Sequence, residues 1–361
     1  MTENFDQTRQ SARAFLSAEE LSNIERWQKD FLQREQARFA ARIAAKRVRD
    51  GHGDLRLEHC YLAADGSVQI IDCIEFNDRF RYGDVCADVA FLAMDLAWNE
   101  RADLSEAFLA SYARAADDYD LYTVVDFYES YRAFVRGKVS AMLAEDADAD
   151  AAVRERARLQ ARKYFLLAEA CTQPPLEAPR LYAVGGLIAT GKSSVAGRLA
   201  AMLRAPHIEA DRTRKRLAGL DPLTPWRDDA FSGNYTPAKT QAVYAELRRR
   251  AEVVLRSGRS VVIDASFRDR TERAQLTELA ERTGCQLKFI ECHAPAELCR
   301  ERLRKRALGP SASDGRSEIF DAFVRSYEPV VELAPEQHLR IDTSLEKVVV
   351  DARLRALAAT G

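Results

Sequence analysis

The clearest chemistry in the chain is carried by eight consecutive residues, Gly186-Leu187-Ile188-Ala189-Thr190-Gly191-Lys192-Ser193. They fit G-x-x-x-x-G-K-[ST] at every fixed position and lie between an apolar segment and an amphipathic one. In that setting the glycines let the backbone wrap a phosphate. Successive N–H groups and the helix N-terminus supply positive potential. Lys192 is then placed to reach β- and γ-phosphates and the Ser193 hydroxyl to ligate Mg²⁺, while Ser194 completes the nucleotide-binding run Gly186–Ser194. The expected cofactors are ATP and Mg²⁺.

Carboxylates and arginines follow at spacings that suit phosphoryl transfer. Glu209-Ala210-Asp211-Arg212-Thr213-Arg214 closes a short apolar segment. In an open α/β sheet, strand C-termini point into the ligand crevice. Asp211 there could accept the proton of an acceptor hydroxyl or hold the metal's water shell. Arg214, one helical turn on, could grip an anionic acceptor; an N-cap aspartate beside a surface arginine is the plainer alternative. Val261-Val262-Ile263-Asp264 ends in a second carboxylate, placed either near Mg²⁺ or as a strand-end cap. Arg270 and Arg273 could bind substrate or be ordinary helix charge. The cations from Arg300 to Arg306, followed by Gly309-Pro310-Ser311, suit a mobile lid over transferring phosphate, or a solvated basic helix. Arg302 and Arg306 share one helical face and form the preferred pair.

These side chains need a sheet to position them. Apolar segments at Leu181–Val184, Pro206–Ala210, Ser260–Asp264, Leu287–Cys292 and His338–Ile341 read as strands. Helical patterns run over 192–203, 238–256, 271–283, 295–306, 317–333 and 345–358. Such alternation predicts an α/β domain, a parallel sheet wrapped by helices. Pro174, Pro175 and Pro179 interrupt helix, which divides the chain into residues 1–172, a linker at 173–180, and 181–361. The first part reads as mainly helical over 5–50 and again from Asp84 to about Cys171. Between them lie a loop at 51–60 and a short hairpin, Tyr61–Ala63 and Val68–Cys73, turning at Asp65-Gly66. Phe127, Tyr128, Tyr131 and Phe134 lie on one helical face and read as core.

Composition bounds the rest. Of 361 residues, 47% are hydrophobic and 30% charged, which excludes a disordered or collagen-like chain. No apolar run approaches the ~18 residues of a membrane helix, and the N-terminus is polar. The seven cysteines are odd in number and never at C-x-x-C spacing, so they read as reduced thiols, with no disulfide frame or zinc site. A cytoplasmic protein is expected. Residues 1–172 carry a net charge of -8 and residues 173–361 a net of +6. The basic half suits a polyanion such as ATP but is too weak to argue for nucleic acid.

Residues 180–358 resemble the small P-loop kinases of the gluconate-kinase and polynucleotide-kinase type. The matching elements are the phosphate loop, Asp211-x-x-Arg214, Val261-Val262-Ile263-Asp264-Ala265-Ser266-Phe267, the arginine-rich segment and Ile341-Asp342-Thr343-Ser344. The resemblance implies phosphoryl transfer to a hydroxyl with Asp211 as base. In the first part, His52-Gly53-Asp54-Leu55-Arg56 and Ile70-Ile71-Asp72-Cys73 resemble the catalytic loop and metal aspartate of aminoglycoside-phosphotransferase and protein-kinase-like enzymes. That resemblance implies Asp54 as base and Asp72 as metal ligand. Ile74-Glu75-Phe76-Asn77-Asp78 and the stretch Asp84 to Asp88 are similar to the phosphotransferase-like half of bifunctional proteins that end in a P-loop kinase. His59 stands where the metal-binding Asn is normal, and only about 50 residues precede the loop, too few for a nucleotide-gripping N-lobe. The first part is therefore expected to be a C-lobe alone with a vestigial site, a support or platform for the second. The surface left by the missing N-lobe predicts self-association or a partner protein.

The expected function is an ATP-dependent kinase acting on a hydroxyl of a small molecule, with segment 219–240 shaping the acceptor pocket. One alternative is a polynucleotide 5′-hydroxyl kinase, for which Trp226, Phe231 and Tyr235 near Arg227 would supply stacking. The other is a non-catalytic ATP-binding regulatory or scaffold protein.

Overall fold

Leu181, Tyr182, Ala183 and Val184 are each at most 1% exposed, so the strand they form is covered on both faces. A continuous apolar run of this kind belongs to the middle of a parallel sheet. The computed structural model describes residues 2–222, 224, 232–306 and 317–359. It divides into two units, Met1–Leu109 with Leu121–Pro174, and Ala110–Asp120 with Pro175–Gly361. The return of Ala110–Asp120 to the second unit has no counterpart in the linear division read from the sequence.

In chain order the strands are β1 (Val48–Asp50), β2 (Cys60–Leu62), β3 (Val68–Ile70), β4 (Tyr82–Asp84), β5 (Arg180–Gly185), β6 (His207–Glu209), β7 (Val261–Asp264), β8 (Gln286–His293) and β9 (His338–Asp342). The second unit is built on one sheet in the order β6-β7-β5-β8-β9, parallel throughout. The sheet places β5 between β7 and β8, so the loop after β5 emerges at the centre of the C-terminal edge. The helix Lys192–Leu203 covers one face and buries Val195, Ala196, Leu199 and Ala200 against Tyr182, Val184, Val262 and Ile290.

One expected helix is cut short. Of 317–333, only the turn Ser317–Ile319 and the helix Phe320–Arg325 form. Pro329 cannot continue a helix. Glu328 instead serves the neighbouring loop, its N–H donating to Arg268 O at 2.8 Å and its carboxylate accepting from Arg270 N at 2.6 Å.

The first unit is mainly helical, and its core lies between the antiparallel helices Val125–Glu145 and Ala151–Ala170. Gly137 allows their close approach, since a Cβ there would meet the Phe165 ring at 2.7 Å. Two small antiparallel sheets, β1 with β4 and β2 with β3, sit beside the helices. The hairpin β2–β3 was legible, but β1 falls inside the segment read as helical. Its three residues are all exposed and carry no alternation to betray a strand. Asp84 ends β4, pairs with buried Arg42 at 2.8 Å and caps the helix Val85–Trp98 through Cys86 N.

Candidate functional site

The phosphate loop is held by backbone geometry that only glycine supplies. Gly186 has φ +130, and a Cβ on it would lie 2.2 Å from Cys292 O. Gly191, at φ +87, caps the helix Lys192–Leu203, and a Cβ there would press on Thr343 Oγ1 at 3.3 Å. Ser266 O accepts from Gly186 N at 3.1 Å, so the segment after β7 anchors the loop's entry. Phe267 turns that segment with φ 43, an uncommon angle for an aromatic residue, and is fixed between Tyr244 and Phe289. Ile188 packs on the cluster of Ala189, Cys299, Leu303 and Phe320. Thr190 Oγ1 and Lys192 Nζ both donate to Leu187 O, at 2.8 and 2.7 Å, so the ammonium lies across the loop. Ser194 is exposed at the helix start.

One of the expected carboxylates, Asp264, lies beside this loop, and the charge of a second, Asp211, reaches it. Asp264 ends β7 in register with Val184 of β5 and with Glu209 of β6. The Ser193 hydroxyl and the charges of Lys192, Asp211 and Glu209 all act on Asp264. Burial pushes the Asp264 carboxyl up to about 6, and Asp211 and Glu209 push the same way, against Lys192 and Ser193. Sequence reasoning gave no role to His207, which is buried beside this group. Its Nε2 has no hydrogen-bond partner and lies 3.9 Å from Asp264 Oδ2, and burial lowers its pKa to about 4. The imidazole is therefore neutral at pH 7. An alternating run ending in His-Ile-Glu held only the signal of a strand.

The arginines divide into three groups. Arg302 reaches the loop: its guanidinium donates to Ala189 O at 3.3 Å, Thr343 Oγ1 at 3.0 Å and Thr343 O at 2.6 Å. Thr343 Oγ1 in turn donates to Thr190 O at 2.6 Å, tying the end of β9 to the phosphate loop. Arg214 is buried on the helix Ala210–Leu217, stacked over Tyr235 at 4.5 Å and donating to Thr240 Oγ1 at 3.4 Å. Arg273 is a correction. It is 0% exposed, paired with Glu332, and donates to Phe267 O at 2.8 Å and Pro329 O at 3.3 Å. A guanidinium so enclosed is a clamp for the 326–334 loop and leaves nothing for a substrate. The Arg306 side chain, the 309–316 stretch, Trp226, Arg227 and Phe231 lie outside the described residues.

In the first unit, Asp54, His59 and Asp72 do come together. His59 Nδ1 contacts Asp54 O at 2.8 Å, and its Nε2 lies 3.3 Å from Asp72 Oδ2. Asp88 accepts from His52 N at 2.7 Å and Gly53 N at 2.8 Å, which fixes the loop's backbone. Arg56 then takes the Asp54 carboxylate with two nitrogens, Nε at 3.1 Å from Oδ1 and Nη2 at 2.9 Å from Oδ2. Burial opposes ionisation of Asp54, but the Arg56 hydrogen bonds and charge outweigh it and hold the carboxyl below the usual range. Among the described residues no group of three or more His, Cys, Asp or Glu is arranged to hold a metal ion. No helix among them is long and apolar enough to cross a membrane.

Comparison with known proteins gives a family match within the second unit and curated relatives that align over most of the chain. Residues 181–330 match the AAA domain family. Uncharacterized proteins of Mycobacterium tuberculosis and Mycobacterium bovis are 35% identical over 320 residues, 89% of this chain and 62% of theirs. The chain thus spans less than two thirds of the length of these curated relatives. Among solved structures, a gluconokinase from Sinorhizobium meliloti is 21% identical with a TM-score of 0.37, covering 51% of this chain and 93% of that one. APS kinase of Mycobacterium tuberculosis, in complex with AMPPNP and APS, is 20% identical with a TM-score of 0.36, covering 52% and 98%. Kti12 of Chaetomium thermophilum, in complex with ADP-AlF3, is 17% identical with a TM-score of 0.39, covering 49% and 96%.

Proposed function

We propose that the second unit transfers the γ-phosphate of ATP to a hydroxyl of a small molecule. The observation that carries this reading is the convergence of Lys192, Ser193 and Asp264, with Asp211 close enough to act on Asp264, at the mouth of a glycine-shaped phosphate loop. Lys192 and Arg302 supply positive charge where phosphate oxygens would lie. Asp211, at the start of the helix after β6, takes the proton of the acceptor hydroxyl. Arg214 holds an anionic group of the acceptor from the same helix, one turn further on.

Mg²⁺ fits the oxygen pair of Ser193 and Asp264. This ion is commonly held by one or two protein oxygens with phosphates and waters completing its shell. When bound there it would neutralise charge on the phosphates. The first unit is read as a support, because Arg56 occupies the carboxylate that the resemblance makes the base. Tyr235, one of the three aromatics that an oligonucleotide acceptor would call on, is already stacked on Arg214, which favours the small acceptor.

The test is transfer of labelled γ-phosphate from ATP into pooled metabolites by the full chain. A labelled, acceptor-dependent product is expected from the wild type, formed at least about 100-fold more slowly by Asp211→Asn. ATP binding without a labelled product in any pool, oligonucleotides included, would replace this reading with a regulatory one.

A further inference from the structure

A segment outside both motif sets reaches the carboxylates of the second unit. Ala110–Asp120 belongs to that unit although it precedes β6 by most of a hundred positions. Arg114 grips Glu209 with its guanidinium fork, Nε to Oε2 at 2.7 Å and Nη2 to Oε1 at 3.1 Å. Arg212 stands 3.4 Å from the same carboxylate and donates to Arg114 O at 3.3 Å. Three further contacts dock the segment: Tyr119 OH donates to His207 O at 2.7 Å, Asp117 pairs with Arg250 at 2.7 Å, and Asp120 pairs with Arg249 at 2.7 Å.

Glu209 needs such a partner. It ends β6 in register with Asp264, two residues before Asp211, and its side chain is only 12% exposed. With Arg212 alone, at 3.4 Å and without the two-point fork, its charge would be less fully cancelled and would add to those of Asp211 and Asp264, on which it already acts. A bidentate arginine cancels that charge and fixes its direction. An exposed ion pair contributes little to stability, and Arg114 is 45% exposed, so fold strength alone gives a weak account of this fork.

We propose that Arg114 is a positioning residue for the phosphate site: by holding Glu209 it removes a carboxylate that would repel the phosphates of ATP. The inference rests on the ATP-dependent reading above, and its test is read without turnover. ATP affinity in the presence of Mg²⁺ is measured by calorimetry on the full chain. Arg114→Ala is expected to weaken it about tenfold, the low end for loss of a residue that orients a charged ligand set. Glu209→Gln in the same chain should restore it to within about threefold, since the charge to be cancelled is then gone. Glu209→Gln alone should bind as tightly as wild type or tighter. Should Arg114→Ala fail to fold, Arg114→Gln takes its place, with the same loss and the same rescue by Glu209→Gln expected. Asp117→Asn, which loosens the same segment without touching Glu209, should leave the affinity unchanged.

Wild-type affinity in Arg114→Ala, no rescue by Glu209→Gln, weaker binding in Glu209→Gln alone, or an equal loss in Asp117→Asn would each overturn the proposal. ATP bound by every variant as expected, with no acceptor ever phosphorylated, would sink the kinase reading and leave this one standing. No ATP binding by the wild type would remove both.

Discussion

Two aspartate centres in this chain look alike on paper and differ in what surrounds them. In the first unit Asp54 sits on a fixed loop with Asp72 nearby, but its own neighbour Arg56 closes on both carboxylate oxygens. In the second unit Asp264 ends β7 and Asp211 lies in the first turn of the helix after β6, and the positive charge acting on Asp264 is Lys192, a residue of the phosphate loop. Arg56 holds the Asp54 carboxyl down, whereas burial lifts Asp264 to about 6. The supporting structure differs too. The sheets beside Asp54 have two short, largely exposed strands each, while Asp264 ends a strand buried along its whole length. A carboxylate is available for chemistry when the sheet holds it in place and no cation closes on both of its oxygens. An arginine two residues away removes that availability.

The largest expected effect comes from the loop that makes the second centre. Gly186→Ala should lower ATP affinity by about 100-fold or more, because backbone and Cys292 O cannot both keep their places. Gly53→Ala, where a Cβ would lie 2.9 Å from Phe80 O at φ +81, should lower the melting temperature and leave ATP affinity alone. Equal loss of ATP binding in both would erase the distinction between the centres. Next, Asp211→Asn should reduce kcat by about 10²- to 10⁴-fold with ATP affinity retained, as loss of a general base does. Asp54→Asn should leave kcat as it is. A kcat that falls only with Asp54 would invert the assignment.

Arginine substitutions sharpen the comparison further. Arg273→Ala strips a fully buried cation from Glu332 and should cost about 3–5 kcal/mol in unfolding free energy, read by denaturant titration. Its folded fraction should keep the wild-type KM for acceptor, since Arg273 faces no pocket. The smallest effect is expected for Arg56→Ala, about 1–2 kcal/mol, from one charged hydrogen-bonded pair in a partly open site. If Arg56→Ala also conferred phosphotransfer that vanished with Asp54→Asn, the first centre would be blocked and not merely vestigial.

A residue is legible when its own local segment carries the signal, and illegible when only a distant partner defines its place. The phosphate loop is legible because strand end, glycine-rich turn and helix start follow one another in sequence, and the helix Lys192–Leu203 matches its pattern at both ends; Asp264 is marked by its own buried strand, which it ends. Arg273 was misread as a substrate group because Glu332 lies 59 positions away, beyond any local periodicity. Arg302 was read as a lid residue, yet its hydrogen bonds go to Thr343, 41 positions on, and to the loop backbone. Arg114 carried no signal at all, since Glu209 lies 95 positions away and a helix ending in Tyr-Ala-Arg-Ala-Ala has an ordinary solvent-facing composition. Arg56 could have been noticed: an arginine two residues after a loop aspartate is within reach of it.

The central claim is that the second centre binds and uses ATP while the first does not. Binding of Mg²⁺-ATP and acceptor-stimulated phosphate transfer are measured together on wild type, Lys192→Ala and Asp54→Ala. Both signals should disappear in Lys192→Ala and persist in Asp54→Ala. Normal binding and transfer by Lys192→Ala, or their loss in Asp54→Ala, would contradict the account.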